Sequence, residues 1–260
     1  MRVTKSVPAV ERALVMMETL DQSARSMNIA ELARKVGIAR STAHSIVLTL
    51  ERCGYVTRDG SQRQCMLTTK AYLLGRETMN FERLAVAAHA PMRQLTASVR
   101  LTSHMAVLDD NQATYIQKVQ RPGILTFDTY VGKRTNLHCT AVGKVLLSYA
   151  PEHHRNRFLE RGSFARYTVN TITLATALRN ELARVHREGF ALDNEEEELN
   201  IRCVAVPVVS QRGEMLAALS LCGTLNQLHE RQIPEMVALL RRTAALVARR
   251  LRELEAHDAA

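Results

Sequence analysis

The chain has 260 residues, 46% of them apolar, and a formal net charge of +9 at pH 7. That length accommodates one large domain or two ordinary ones around a buried core. No apolar run approaches the roughly 20 residues that span a bilayer, no apolar secretory segment follows Met1, and the five cysteines (Cys53, Cys65, Cys139, Cys203, Cys222) show no CxxC spacing, so a reducing cytoplasm is the expected location.

The positive charge is denser at the start of the chain. Residues 1–85 carry 13 Lys and Arg against 8 Asp and Glu, leaving 22 against 18 in the longer remainder. Lys and Arg release condensed counterions from a phosphate backbone, so a polyanion partner is sought there first.

A first helix is predicted from Pro8, where a missing N–H costs nothing, with Val10, Ala13, Leu14, Met17 and Leu20 on one side. Ile29, Leu32, Ala33 and Val36 then repeat at helical spacing and stop at Gly37, a residue suited to a sharp turn. A third stripe, Ala43, Ile46, Val47 and Leu50, ends at Gly54. Next, the runs Tyr55–Thr57 and Gln64–Leu67 flank Asp59-Gly60, the pattern of a hairpin. From Lys70 to about His89 a linking helix is expected, weakened by Gly75.

Beyond Pro91, strands are expected near 103–109, 113–120 and 124–130, followed by a helix over Thr140–Tyr149 that Pro151 terminates. A helix over Leu174–Arg187 meets Gly189, and strands near Val204–Val209 and Met215–Leu221 flank a turn at Arg212-Gly213. The last helix, about Glu230–Glu255, carries Ile233, Met236, Val237, Leu240, Ala244, Val247 and Leu251 at helical spacing. The sheet is expected to be antiparallel.

Two short helices about a glycine turn, followed by a two-stranded wing, can seat the second helix in the major groove of double-stranded DNA. With Ala43, Ile46, Val47 and Leu50 facing inward, Arg40, Ser41, Thr42, His44 and Ser45 form the outer face early in that helix, and Arg58 and Arg63 flank the wing for backbone contacts. Nothing matches a phosphate-binding glycine loop, a dinucleotide fingerprint or HExxH, and the histidines show no metal-ligand spacing, so neither cofactor nor metal is expected. His138 beside Cys139 lacks an orienting third group, and chain neighbours point apart, so catalysis is not expected. The alternative from another class is a small-molecule hydrolase or isomerase with an auxiliary nucleic-acid-binding domain.

The segment from Val7 through Leu74 resembles the winged helix-turn-helix of the IclR (isocitrate lyase regulator) family of bacterial transcription factors. Val131–Lys144 resembles that family's effector-domain signature, and Gly189–Glu196 with Arg202–Pro207 resembles its second. Asn136 stands where the family usually has Pro, and Leu199-Asn200 where Pro-Gly or Leu-Gly is frequent. The resemblance implies an α+β chain: a winged helix-turn-helix over 1–69, a linker helix over 70–89, and a GAF-like antiparallel sheet domain with flanking helices over 90–260 that binds an effector and oligomerises. It implies homodimers or tetramers on inverted-repeat operators. It also implies effector contacts at Ile124, Ala141, Val142, Asp193, Ile201, Cys203, Ser220 and Cys222. Physically, Thr140–Gly143 opens a helix, and free N–H groups there suit a carboxylate, so small organic acids, short or aromatic, lead the effector classes. Without the resemblance, Cys203 and Cys222 read as inert core residues and Asp193–Glu198 as a solvated acidic loop.

Overall fold

Three apolar helical stripes and a hairpin build the first of two units into which the chain divides, Met1–Asn80 and Phe81–Ala260. The computed structural model describes residues 6–21, 23, 26–59, 64–71, 81–121 and 127–258.

In the first unit, α1 (Pro8–Asp21), α2 (Ile29–Val36) and α3 (Arg40–Arg52) pack around Leu32, Ala33, Ala43, Val47 and Met16. Gly37 ends α2 in the left-handed conformation (φ 71°), its N–H reaching back to the Ala33 and Arg34 carbonyls, and this closes the tight α2–α3 turn. Helix α1 corrects the expected face. Met16 and Leu20 are buried, Ala13 and Met17 are half-buried against them, and Val10 and Leu14 are 55% and 54% exposed. Its sequence carries two overlapping apolar stripes, and periodicity alone does not say which one the core takes. The wing strands β2 (Val56–Arg58) and β3 (Gln64–Leu67) are antiparallel, and β1 (Met27–Asn28), too short to signal itself in sequence, adds a third strand with Met27 opposite Cys65. Residues 60–63 between β2 and β3, Arg63 among them, lie outside the described residues.

The second unit opens with α4 (Phe81–Val99), which runs past the end expected near His89 and carries Pro91 inside it. Pro91 forfeits a helical hydrogen bond, and the burial of Leu84, Ala88, Met92 and Leu95 in the main core offsets that loss. Residues 72–80, nearly half of the expected linker over 70–89, lie outside the described residues. The six-stranded antiparallel sheet runs β6-β5-β4-β9-β8-β7, built from β4 (Thr102–Asp109), β5 (Gln112–Val119), β6 (Arg134–Thr135), β7 (Ala191–Asn194), β8 (Ile201–Val209) and β9 (Met215–Thr224).

Because side chains alternate along a strand, the register assigns the two faces different work. One face carries Met105, Val107, Val204, Val206, Val208, Leu219 and Leu221 against α4 and the C-terminal helix α8 (Ile233–Asp258). The other carries Ala106, Ala113, Ala191, Ala205 and Ala218, small side chains that admit the buried helix α5 (Ala141–Tyr149). Helices α6 (Glu152–Leu159) and α7 (Ala175–Glu188) complete that second layer.

The expected strand over 124–130 is corrected in its described part. Residues 127–130 are not strand, because Lys118 Nζ donates to the carbonyls of Phe127 (3.0 Å) and Thr129 (2.7 Å), and the segment is held by a side chain in place of a ladder. Ile124 lies outside the described residues.

Candidate functional site

In the first unit, burying Ala43, Ile46, Val47 and Leu50 leaves Arg40, Ser41, His44 and Ser45 exposed and Thr42 half-buried. Ala39 precedes α3 without a side-chain cap, so the opening N–H groups of Arg40, Ser41 and Thr42 have no acceptor among the described residues; the first helical bond is Ala43 N–H to Ala39 O at 3.0 Å. An uncapped, exposed N-terminus beside an arginine suits a phosphate. Ser45 Oγ turns back to Ser41 O (3.2 Å). Arg58 is tied to Glu51 at 2.6 Å, which braces the wing strand against α3.

In the second unit, a cavity of about 380 Å³ lies between the small-residue face of the sheet and the start of α5. Seven of the eight positions expected to contact an effector line it: Ala141, Val142, Asp193, Ile201, Cys203, Ser220 and Cys222. Register explains the convergence. Asp193, Cys203, Cys222 and Thr102 are direct cross-strand partners across β7, β8, β9 and β4, and Ala205, Ser220, His104 and Lys118 form the next rung on the same face.

The start of α5 opens onto the cavity. Thr140 caps α5: its Oγ1 accepts the Gly143 N–H (3.1 Å) and donates to Asn136 O (2.6 Å). Gly143 is required because a Cβ there would meet the Asn136 carbonyl and Leu137 Cα. The N–H groups of Ala141 and Val142 have no acceptor among the described residues, and both residues face the cavity.

The acidic run is not a solvated loop, for Asp193 is 3% and Glu196 8% exposed. Asp193 Oδ1 accepts the N–H groups of Glu196 (2.8 Å) and Glu197 (3.4 Å). Lys144, itself buried on α5, pairs with Glu196 and, at 3.4 Å, with Glu181 on α7. Thr171 Oγ1 fastens the Glu196 carbonyl (2.6 Å). Asn200 takes the left-handed conformation (φ 63°) that Gly would fill at that position, and Asn is among the few other residues that tolerate it.

Burial raises the Asp193 carboxyl to about 7, so near neutrality it is partly protonated and able to donate. Burial likewise raises Glu197, whose Oε1 accepts from Thr135 Oγ1 (2.9 Å). His104, 3% exposed and bonded through Nε2 to Thr129 Oγ1 (2.8 Å), is lowered to about 3 by burial and is neutral. His104, Tyr115, Thr129, Lys133, Thr135 and Glu197 also line the cavity and escaped the sequence reading. The signal for His104 was its position opposite Ser220, which only the strand register provides.

His138 donates Nε2 to Ala165 O (2.9 Å), and burial pushes the Cys139 thiol up, so these neighbours do not form a nucleophile and base. Among the described residues no group of His, Cys, Asp and Glu has the arrangement of a metal site, and no helix is long and apolar enough to cross a membrane.

Comparison with known proteins matches the same two units. The model of the IclR helix-turn-helix domain matches residues 9–60, and that of the C-terminal domain of the bacterial transcriptional regulator IclR matches residues 78–249. The HTH-type transcriptional regulator KdgR of Escherichia coli is 32% identical over 243 residues, 94% of this chain and 92% of that protein. The crystal structure of Thermotoga maritima IclR superposes with a TM-score of 0.73 at 26% identity, covering 94% of this chain and 98% of that one. An IclR homologue from Microbacterium hydrocarbonoxydans, solved in complex with 4-hydroxybenzoate, has the same fold, with a TM-score of 0.78 at 24% identity over 94% of this chain and 99% of that one. With a DNA-reading helix-turn-helix in one unit and the matching C-terminal domain in the other, the chain belongs to the IclR family of bacterial DNA-binding transcriptional regulators.

Proposed function

We propose that this regulator answers to a small carboxylic acid held in the cavity of the second unit. The observation that carries the reading is the pair of unengaged N–H groups at Ala141 and Val142, opening a buried helix into that cavity. A protonated Asp193 supplies a further donor; the Ser220 hydroxyl, which itself donates to His104 O (3.4 Å), supplies an acceptor, and Ile201 and Val142 the apolar wall. A volume of about 380 Å³ suits a benzoate-sized or shorter acid, and the Microbacterium homologue binds an aromatic carboxylate.

Arg40, Ser41, Thr42, His44 and Ser45 are the proposed DNA contacts, Arg40 on a guanine edge or a phosphate, with Arg58 and Arg63 on the backbone beside the wing. The working division is DNA binding over 1–69, a linker over 70–89 and effector binding over 90–260. Val7, Val10 and Leu14, all more than half exposed on and just before α1, form an apolar stripe that suits a second copy, in keeping with a homodimer or tetramer on an inverted-repeat operator in the cytoplasm.

A thermal-shift screen of carboxylic acids, including 4-hydroxybenzoate and short oxo-acids, tests the effector class. At least one acid should raise the melting temperature of the native protein and leave Ala141→Leu unmoved. Equal shifts in both proteins would put the acid elsewhere.

A further inference from the structure

Cys203 on β8 and Cys222 on β9 are direct cross-strand partners, and their Sγ atoms lie 2.8 Å apart at the wall of the cavity. Both are free thiols. Directly opposed residues of an antiparallel pair have Cα atoms about 4.5–5.5 Å apart, inside the range of about 4.4–6.8 Å that a disulfide spans. The sulfurs need close only to about 2.05 Å, so the sheet already holds the backbone spacing that a bond requires. Neither residue is sealed in the core as Cys139 and Cys65 are, because both border the cavity.

We propose that Cys203 and Cys222 are a dithiol modification site, converted by a peroxide-class oxidant entering the cavity into a cross-strand disulfide. One thiol gives up its proton and its sulfur attacks a peroxide oxygen; the O–O bond breaks, leaving a sulfenic acid and a hydroxide that takes the proton to become water. The second sulfur displaces hydroxide from the sulfenic sulfur and its own proton leaves with that hydroxide as a second water, so two sulfurs lose two electrons and the peroxide gains them. The bond to Cys222 and burial push the Cys203 thiol up, with Asp193 and Glu197 facing it from β7 and the loop that follows, and His104, Tyr115 and Lys118 from β4 and β5. Little of the thiol is therefore present as the attacking thiolate, and the product accumulates on sustained exposure.

The bond removes both S–H groups from the cavity wall. That consequence rests on the cavity being the effector seat; formation of the bond does not.

The test uses the full chain, reduced, freed of reductant and held with hydrogen peroxide, then digested without reduction. A peptide joining Cys203 to Cys222, lighter by two hydrogens than its separate halves and parted by reductant, is expected. Cys203→Ser and Cys222→Ser should each abolish it and leave the remaining thiol as sulfinic acid. Native protein in which both thiols stay alkylatable, or pass to sulfinic acid without joining, overturns the proposal without recourse to any variant. Binding of 4-hydroxybenzoate is then compared in the two forms. A loss of about tenfold on oxidation, the worth of one or two hydrogen bonds, regained on reduction, supports the coupling. A joined peptide with unchanged binding overturns the coupling alone, and absence of binding by any acid in the screen to either form refutes the effector reading while the disulfide stands.

Discussion

Asp193 concentrates the electrostatics of the cavity in one carboxyl. Its lift from the ordinary 3.8 to about 7 comes first from burial, against which the Glu196 N–H and Lys144 work. The folded state therefore holds a proton that the unfolded chain has released. Stability from the neutral form is complete below about pH 4 and is lost as pH rises towards 7, on the order of 4 kcal/mol in all. Asp193→Asn keeps an acceptor for the Glu196 N–H and removes the ionisation. Its melting temperature should equal or exceed that of the native protein at pH 8, and the gap should shrink on acidification to pH 5; a gap independent of pH would mean that the carboxyl is not perturbed. An anionic effector favours the protonated form, so its affinity for the native protein should fall above pH 7. Gly143 is the other residue on which the site turns. A methyl group at that position meets backbone on two sides, so Gly143→Ala should cost about 1–3 kcal/mol, read by urea unfolding, and a cost within error of zero would show that the Asn136–Thr140 turn yields freely.

At the scale of elements, α3 is the one whose role the sequence states most openly. Its inner residues repeat at helical spacing and the outer ones are what remains, so the sequence alone proposes Arg40 and the half-buried Thr42 as DNA contacts. Replacing both by Ala should weaken operator binding by about 1–3 kcal/mol for each base-reading side chain that is removed, and an unchanged gel shift would remove α3 from the interface. The second unit was legible in part for the same reason. Strands with alternating faces and helices ending at Gly189 or beginning after Thr140 announce themselves locally. Three features across the two units did not. The passage of α4 through Pro91 depends on burial that no local rule contains, the 127–130 segment is held by Lys118 from another strand, and α1 offers two apolar stripes between which only packing chooses. Likewise the expected effector contacts came from resemblance, whereas His104, Lys133 and Thr135 belong to the cavity only through strand register and the loops joining the strands. The buried Lys144–Glu196–Glu181 cluster was hidden most deeply, because a lysine and a run of glutamates read as solvent until the fold joins them.

For the whole molecule, a single helix-turn-helix reads only a few base pairs, and two half-sites about one turn apart, roughly 34 Å, call for two copies. Light scattering at micromolar concentration should therefore report a dimer or tetramer, and a monomer would leave the apolar stripe of Val7, Val10 and Leu14 without its proposed partner. A ligand changes DNA affinity only if it binds one arrangement of the paired heads better than the other, typically by about 1–3 kcal/mol. The most direct measurement is fluorescence anisotropy of labelled operator DNA titrated with the protein, with and without an acid from the screen, for the native chain and Ala141→Leu. The acid should shift the native titration about 5–150-fold and leave the variant's titration in place, with both proteins binding DNA alike when no acid is present. An acid that shifts both titrations equally would contradict an effector seat at the start of α5.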